Sequence, residues 1–269
     1  MLKFLFVLCL SFAAVTPSAE ASSSVLPDRA APRLFHAVTS DGVWTAGLEI
    51  ALGEGWKTYW RMPGESGIPP QFDWSGSTNL KSITIGWPAP RRYRDAAGET
   101  VGYTTRIVFP LRVEPVDAAK PVNLALSLFY AVCKDICIPA NADLRLEYVP
   151  ARPVSPGDKD LLEQFAARVP ASDSALLPAI EALRLIGAGR EPVLEIALTG
   201  SLPLTADMFV EGHPAAYFRK PRPAQPGDKA AVFHLPIDGL QNVAELRGRR
   251  LTVTVVSGAA SLVQSLTVE

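Results

Sequence analysis

The most regular alternation of apolar and polar positions lies over 122–132. Val122, Leu124, Leu126, Leu128, Tyr130 and Val132 share one parity, while Asn123, Ala125, Ser127, Phe129 and Ala131 share the other. A period of two is that of a β-strand with one face in a core, and the first set supplies that face. Continuing the pleat puts Cys133 on the second face. Past Cys137, Leu144, Leu146 and Tyr148 alternate with Asp143, Arg145 and Glu147, which predicts a half-solvated strand. The stretch Tyr130-Ala131-Val132-Cys133-Lys134-Asp135-Ile136-Cys137-Ile138-Pro139 thus sits at or near the turn of an antiparallel pair.

Shorter runs of β-branched and aromatic residues between turn formers predict strands over 34–40 and 43–52, around Ser40-Asp41-Gly42, and over 71–74, 80–87 and 106–114. Residues 62–70 contain Pro63, Pro69 and Pro70 with Gly64 and Gly67, a composition that predicts a loop. Residues 88–105 read as a long polar connection, of the kind that forms lids or binding loops. The proline-rich stretch ending at 157 predicts a linker, placed at 151–157, and a short helix follows over 158–169 with Leu161, Leu162 and Phe165 on one side. Strand patterns return over 193–199, 208–211, 215–219, 231–235, 251–256 and 262–268, with a short helix over 240–247. That spacing suits a second, smaller β-sandwich.

Composition agrees with an all-β fold, since 24 prolines and 19 glycines accompany 48% hydrophobic residues in the 269-residue chain. A net charge of -1 offers no long-range field for nucleic acid or an anionic membrane. At the start, Lys3, an apolar run over 4–15 and Ala19-Glu20-Ala21 have the form of a signal peptide over 1–21, cleaved after Ala21. Cys9 leaves with it. Domains are then expected at 22–150 and 158–269, in the periplasm. No later segment approaches about 18 consecutive apolar residues, so membrane insertion is not expected.

Export leaves Cys133 and Cys137 as the cysteines of the mature chain, in a compartment where a disulfide survives. Four steps along an extended strand cover roughly 13 Å, whereas bonded cysteines have Cα atoms about 4.4 to 6.8 Å apart, so the intervening residues must turn. Closing so short a ring removes little entropy from the unfolded chain, roughly 2 kcal/mol in the loop model. Such a bond is a weak staple and suits opening and closing. Lys134 would favour a neighbouring thiolate and Asp135 would oppose it. Three readings stay open: thiol-disulfide exchange, a structural bridge, and Cu(I) held by two thiolates. His36, His213 and His234 are scattered and supply no assigned third ligand.

Several motifs carry a family resemblance. Gly55-Trp56-Lys57-Thr58-Tyr59-Trp60, Pro63-Gly64, Gly67-Ile68-Pro69-Pro70, Phe72-Asp73-Trp74, Trp87-Pro88-Ala89-Pro90, Gly102-Tyr103, Phe109-Pro110 and the cysteine stretch itself resemble the amino-terminal periplasmic domain of the DsbD family of thiol:disulfide interchange proteins. The C-x3-C spacing, together with Asp207-Met208-Phe209-Val210-Glu211-Gly212 and Tyr217-Phe218, is similar to the ScsB branch, which is associated with copper tolerance. The resemblance implies an immunoglobulin-like sandwich whose Cys133 and Cys137 relay electrons to periplasmic thioredoxin-fold partners. It also implies a capping loop, which maps to 88–105 with Tyr93 or Tyr103 as the shielding side chain. The family's membrane and thioredoxin domains have no counterpart here, so either a separate membrane protein supplies the electrons or the chain has moved to another task such as copper handling. No cofactor is expected, with Cu(I) on Cys133 and Cys137 as the alternative.

Trp44, Trp56, Trp60, Trp74 and Trp87 all fall in the first domain, where packing of a sandwich core explains them better than a sugar-binding face. Arg91-Arg92-Tyr93-Arg94 offers either a solvated loop or a dock for an acidic partner.

Overall fold

The structure is a computed structural model and describes residues 28–36, 44–95, 98–148, 154–187 and 191–269. The expected signal peptide and the Ser40-Asp41-Gly42 turn lie outside the described residues, as do positions 151–153 of the expected linker.

The first sandwich is built from β1 (Ala30–His36), β2 (Trp44–Leu52), β3 (Lys57–Gly64), β4 (Gln71–Asp73), β5 (Leu80–Ile85), β6 (Arg91–Asp95), β7 (Gly98–Thr104), β8 (Arg106–Pro115), β9 (Val122–Cys133) and β10 (Cys137–Tyr148). One sheet has the order β1-β2-β8-β5, and the other runs β10-β9-β3-β7-β6 with β4 also paired to β9. The two form an immunoglobulin-like sandwich, and the ladders between its strands are antiparallel. The predicted face of β9 is the one that enters the core: Val122, Leu124, Leu126, Leu128, Tyr130 and Val132 are all buried. Each such side chain contributes about 1.5–3 kcal/mol on burial. Trp44 and Trp60 are buried, and Trp56, Trp74 and Trp87 pack against the same core, in keeping with the packing reading of the tryptophans.

The stretch over 88–105 departs from its expected form. It is not a long connection but the hairpin β6–β7. Two of its charged side chains, Arg92 and Glu99, are buried because they pair with the second half of the chain. Glu99 is 6% exposed, and the Arg92 side chain is 8% exposed. The Arg92 guanidinium donates to Asp207 at 2.9 Å, to Glu99 at 2.8 Å, to the Tyr217 hydroxyl at 3.1 Å and to the carbonyls of Met208 and Phe218 at 2.8 and 3.2 Å. Arg92 therefore belongs to an internal ion-pair network and not to a solvated loop.

Helix α1 (Pro156–Ala166) follows the expected linker and starts with proline in its first turn, where no donor is lost. Its buried Leu162 and Phe165 join the core of the first sandwich. The second sandwich contains β11 (Ile180–Ile186), β12 (Val193–Pro203), β13 (Asp207–Glu211), β14 (Tyr217–Phe218), β15 (Arg222–Pro223), β16 (Lys229–Asp238), β17 (Arg250–Ser257) and β18 (Ala260–Thr267). A sheet β11-β12-β16-β14, with β15 also on β16, faces a sheet β13-β17-β18. The helix expected over 240–247 shortens to a 3-10 turn, Val243–Leu246. Leu194, Ile196, Phe233, Leu235, Leu251, Val253 and Val255 centre its core.

Glu99 gives the fold a pH dependence. Burial pushes its carboxyl up, but the Tyr217 hydroxyl and the Arg92 guanidinium outweigh that and hold it below its ordinary value of 4.5. A group depressed in the folded state contributes stability above its unfolded value and loses it as pH falls through the folded one. Urea unfolding at stepped pH should show stability dropping below about pH 4.5. Glu99→Gln should destabilise the protein by about 1–3 kcal/mol at pH 7 and flatten the acid limb.

Candidate functional site: the Cys133–Cys137 pair

Antiparallel pairing of β9 and β10 sets Cys133 directly opposite Cys137. Their Cα atoms are 4.1 Å apart and a disulfide joins them. The turn between is Lys134-Asp135-Ile136, closed by the Lys134 amide donating to the Ile136 carbonyl at 3.3 Å. Directly opposite residues of a sheet share a face. Because Cys133 also pairs with Lys57, and Lys57 with Thr104, a row Cys137, Cys133, Lys57, Thr104 crosses four strands on the outer face. The neighbouring row, Ile138, Val132, Thr58 and Tyr103, faces the sandwich core.

Parity decides the two tyrosines expected as shields. Tyr103 lies in the core row, 6% exposed, with its ring against Phe109 and its hydroxyl donating to the Pro88 carbonyl at 2.8 Å. Burial raises its phenol well above the usual value. It is a core residue on the face away from the disulfide. Tyr93 pairs with Thr100 and lies on the cysteine face, its hydroxyl 3.4 Å from Thr104 Oγ1 at the far end of the outer row.

The residues that meet the sulfurs come from β3 and the loop after it. Tyr59, Ala131 and Cys133 form a small buried cluster of their own, with Ile68 packed on it. The Tyr59 hydroxyl lies 3.0 Å from Cys137 Sγ. A disulfide sulfur carries no proton, so the tyrosine is the donor. Lys57 is also buried, and its ammonium donates to Thr100 Oγ1 at 3.1 Å. Lys134 points elsewhere: its stem lies over Gly55, whose positive φ of 77° favours glycine, and its ammonium reaches the Glu54 carbonyl at 3.4 Å.

The two sulfurs differ in access. Cys133 is 3% exposed, whereas Cys137 is an exposed residue beside Ile136, itself 66% exposed. The difference follows from sheet order, because β10 is the edge strand while β9 lies inside under the Tyr59 and Ile68 cover. An exposed edge cysteine at the end of a hairpin is thus bonded to a covered one.

Residues 22–147 match the family described as "Thiol:disulfide interchange protein DsbD, N-terminal". The match spans the first sandwich and takes in both cysteines. Residues 168–269 match a second family, described as a domain of unknown function. The crystal structure of the N-terminal periplasmic domain of ScsB from Proteus mirabilis aligns with a TM-score of 0.70 and 23% identity, over 92% of this chain and 97% of that one. At that identity the likeness is one of fold, and it spans both sandwiches. No curated protein matches the chain.

Both cysteines fall inside the DsbD match, and the geometry gives Tyr59 a place at the sulfurs that the sequence reading missed. Tyr59 follows Lys57 by two and precedes the core residue Trp60, so its parity alone would have placed it with the cysteines once β3 was paired to β9. In the reduced protein its hydroxyl would stabilise a Cys137 thiolate, and a hydrogen bond to a charged group is worth about 1.5–3 kcal/mol. Tyr59→Phe should therefore raise the Cys137 thiol pKa by about one unit or more, read from thiolate absorbance against pH. The same variant should make the pair harder to reduce, by about 30 mV or more.

Proposed function

We propose that Cys133 and Cys137 form a periplasmic electron relay that exchanges its disulfide with a thioredoxin-fold protein, with Cys137 as the sulfur attacked. The observation that carries this is the asymmetry of the pair, one cysteine exposed on an edge strand and the other buried. A thiolate of the reduced partner attacks Cys137 Sγ. A new disulfide forms between the proteins, the Cys133–Cys137 bond breaks, and its electron pair leaves on Cys133 as a thiolate that takes up a proton. The partner's second thiol, deprotonated, then attacks the partner's own sulfur in the mixed disulfide. Cys137 departs as a thiolate beside the Tyr59 hydroxyl. The partner ends as a disulfide and this protein as a dithiol, and the reverse sequence delivers the electrons onward.

The ScsB domain is named as periplasmic, and no helix among the described residues is long and apolar enough to cross a membrane. A signal peptide at 1–21 and a separate membrane protein as donor complete the reading. The reduced pair also presents two thiolates, the ligand type that suits Cu(I).

Cysteine variants of the full chain test the relay. With a thioredoxin-fold partner whose resolving cysteine is replaced and whose remaining thiol is activated as a mixed disulfide with thionitrobenzoate, the Cys137 thiolate of Cys133→Ser should displace thionitrobenzoate and trap a mixed disulfide, seen as a reductant-sensitive heterodimer by mass. Cys137→Ser should trap little and transfer no electron pairs. A trapped species through Cys133, or transfer that survives loss of either cysteine, would overturn the assignment. A tight one-to-one Cu(I) complex of the dithiol, combined with no transfer to any such partner, would replace the relay with a copper carrier.

A further inference from the structure

The second domain has no cysteine and belongs to a family without an assigned function. What it grips is the reverse side of the strand that faces the disulfide. Tyr59 and Trp60 are successive residues of β3 and so point to opposite faces. Tyr59 meets Cys137, while Trp60 packs edge-on against Phe209 of β13, ring centroids 5.7 Å apart. Phe209 is counted in the core of the first sandwich although it comes from the second. One residue on, Arg61 donates Nε and Nη2 to the two carboxylate oxygens of Glu211, each at 2.7 Å, a bidentate pair.

The same domain holds the start of the loop that carries Ile68. Glu65 places one oxygen 3.1 Å from Arg219 of the second domain and accepts the Glu99 amide on the other at 2.9 Å. Glu99 in turn takes Arg92 and the Tyr217 hydroxyl, so β7 is tied to the second domain as well. Gly64, at φ 93°, and Gly67 bracket this anchor, and glycines leave a loop costly to order without such ties. Three residues beyond Glu65, Ile68 packs on the cluster formed by Tyr59, Ala131 and Cys133.

We propose that the second domain is a clamp that keeps Cys133 covered and so confines exchange to Cys137. Its purpose rests on the exchange reading, since an uncovered Cys133 would let attack occur at either sulfur and interchange the leaving group. Its geometry does not. The clamp acts on the cover through Arg61, Glu65 and Arg92.

Alkylation of single-cysteine forms of the chain from residue 22, without Cys9, tests it. Cys137→Ser leaves the Cys133 thiol and Cys133→Ser leaves that of Cys137, and each is combined with Glu211→Gln plus Arg219→Gln. The expected result is that loosening the clamp speeds iodoacetamide modification of Cys133 by about threefold or more, as local opening predicts, and leaves Cys137 unchanged. Amides of residues 65–70 should exchange faster with solvent while those of β9 stay protected, which confirms a folded sandwich. Arg219→Gln alone, at a 41% exposed side chain, is the milder variant and should move Cys133 in the same direction. An unchanged Cys133 rate in folded variants, or an equal acceleration of both thiols, overturns the clamp. Failure of the relay with protein partners would leave these rates as expected, so the two readings fail separately.

Discussion

The constraint on which the site depends is the register of β9 against β10. It sets two cysteines separated by three residues directly across from one another, so the ladder that continues from the bond also holds the sulfurs together when the bond is open. Covalent closure then adds little to the fold, because the hairpin has already brought the chain back on itself. A bond of small structural consequence is one that can be broken and remade without refolding the domain. The same register makes the sulfurs unequal, since opposite partners share a face but β10 alone is an edge.

A second constraint shapes what surrounds the pair. The sheet that bears Cys133 would present polar strands β6 and β7 to solvent if the first sandwich stood alone. Instead Arg92 and Glu99 are buried, and they are satisfied by Asp207, Tyr217 and two backbone carbonyls of the second sandwich. Charges out of water are tolerated only when they are paired and fully hydrogen-bonded, and removing one partner costs several kcal/mol. The interface is thereby specific in a way that apolar packing is not. It fixes β3, the strand carrying Lys57, Tyr59 and Trp60, relative to the hairpin that carries the cysteines.

What the sequence made legible follows from these constraints. The alternation through 122–132 revealed β9, its buried face and the off-core position of Cys133, because one face of that strand enters the core at every position while the other carries mostly small or polar residues. The hairpin β6–β7 was hidden because its burial is polar and its partners lie more than a hundred residues away, at Asp207 and Tyr217. β11 escaped notice because the register shifts between Ile180 and Ala182, which breaks the apolar alternation at Ala182-Leu183. Tyr103 drew attention as a tyrosine near the motif, yet pairing with Thr58 turns it inward. Tyr59 and Ile68 carry no chemical signature of their own. Their place at the sulfurs is a property of strand pairing, which a single sequence does not state.

The reduction potential of the Cys133–Cys137 pair in the full chain tests the central claim most directly, measured at equilibrium against glutathione or a thioredoxin couple of known potential. An exchange centre should equilibrate within the range of thiol-disulfide oxidoreductases, about -120 to -270 mV. A potential below about -300 mV, where structural bridges lie, would contradict the account and return the pair to a simple pin across a hairpin.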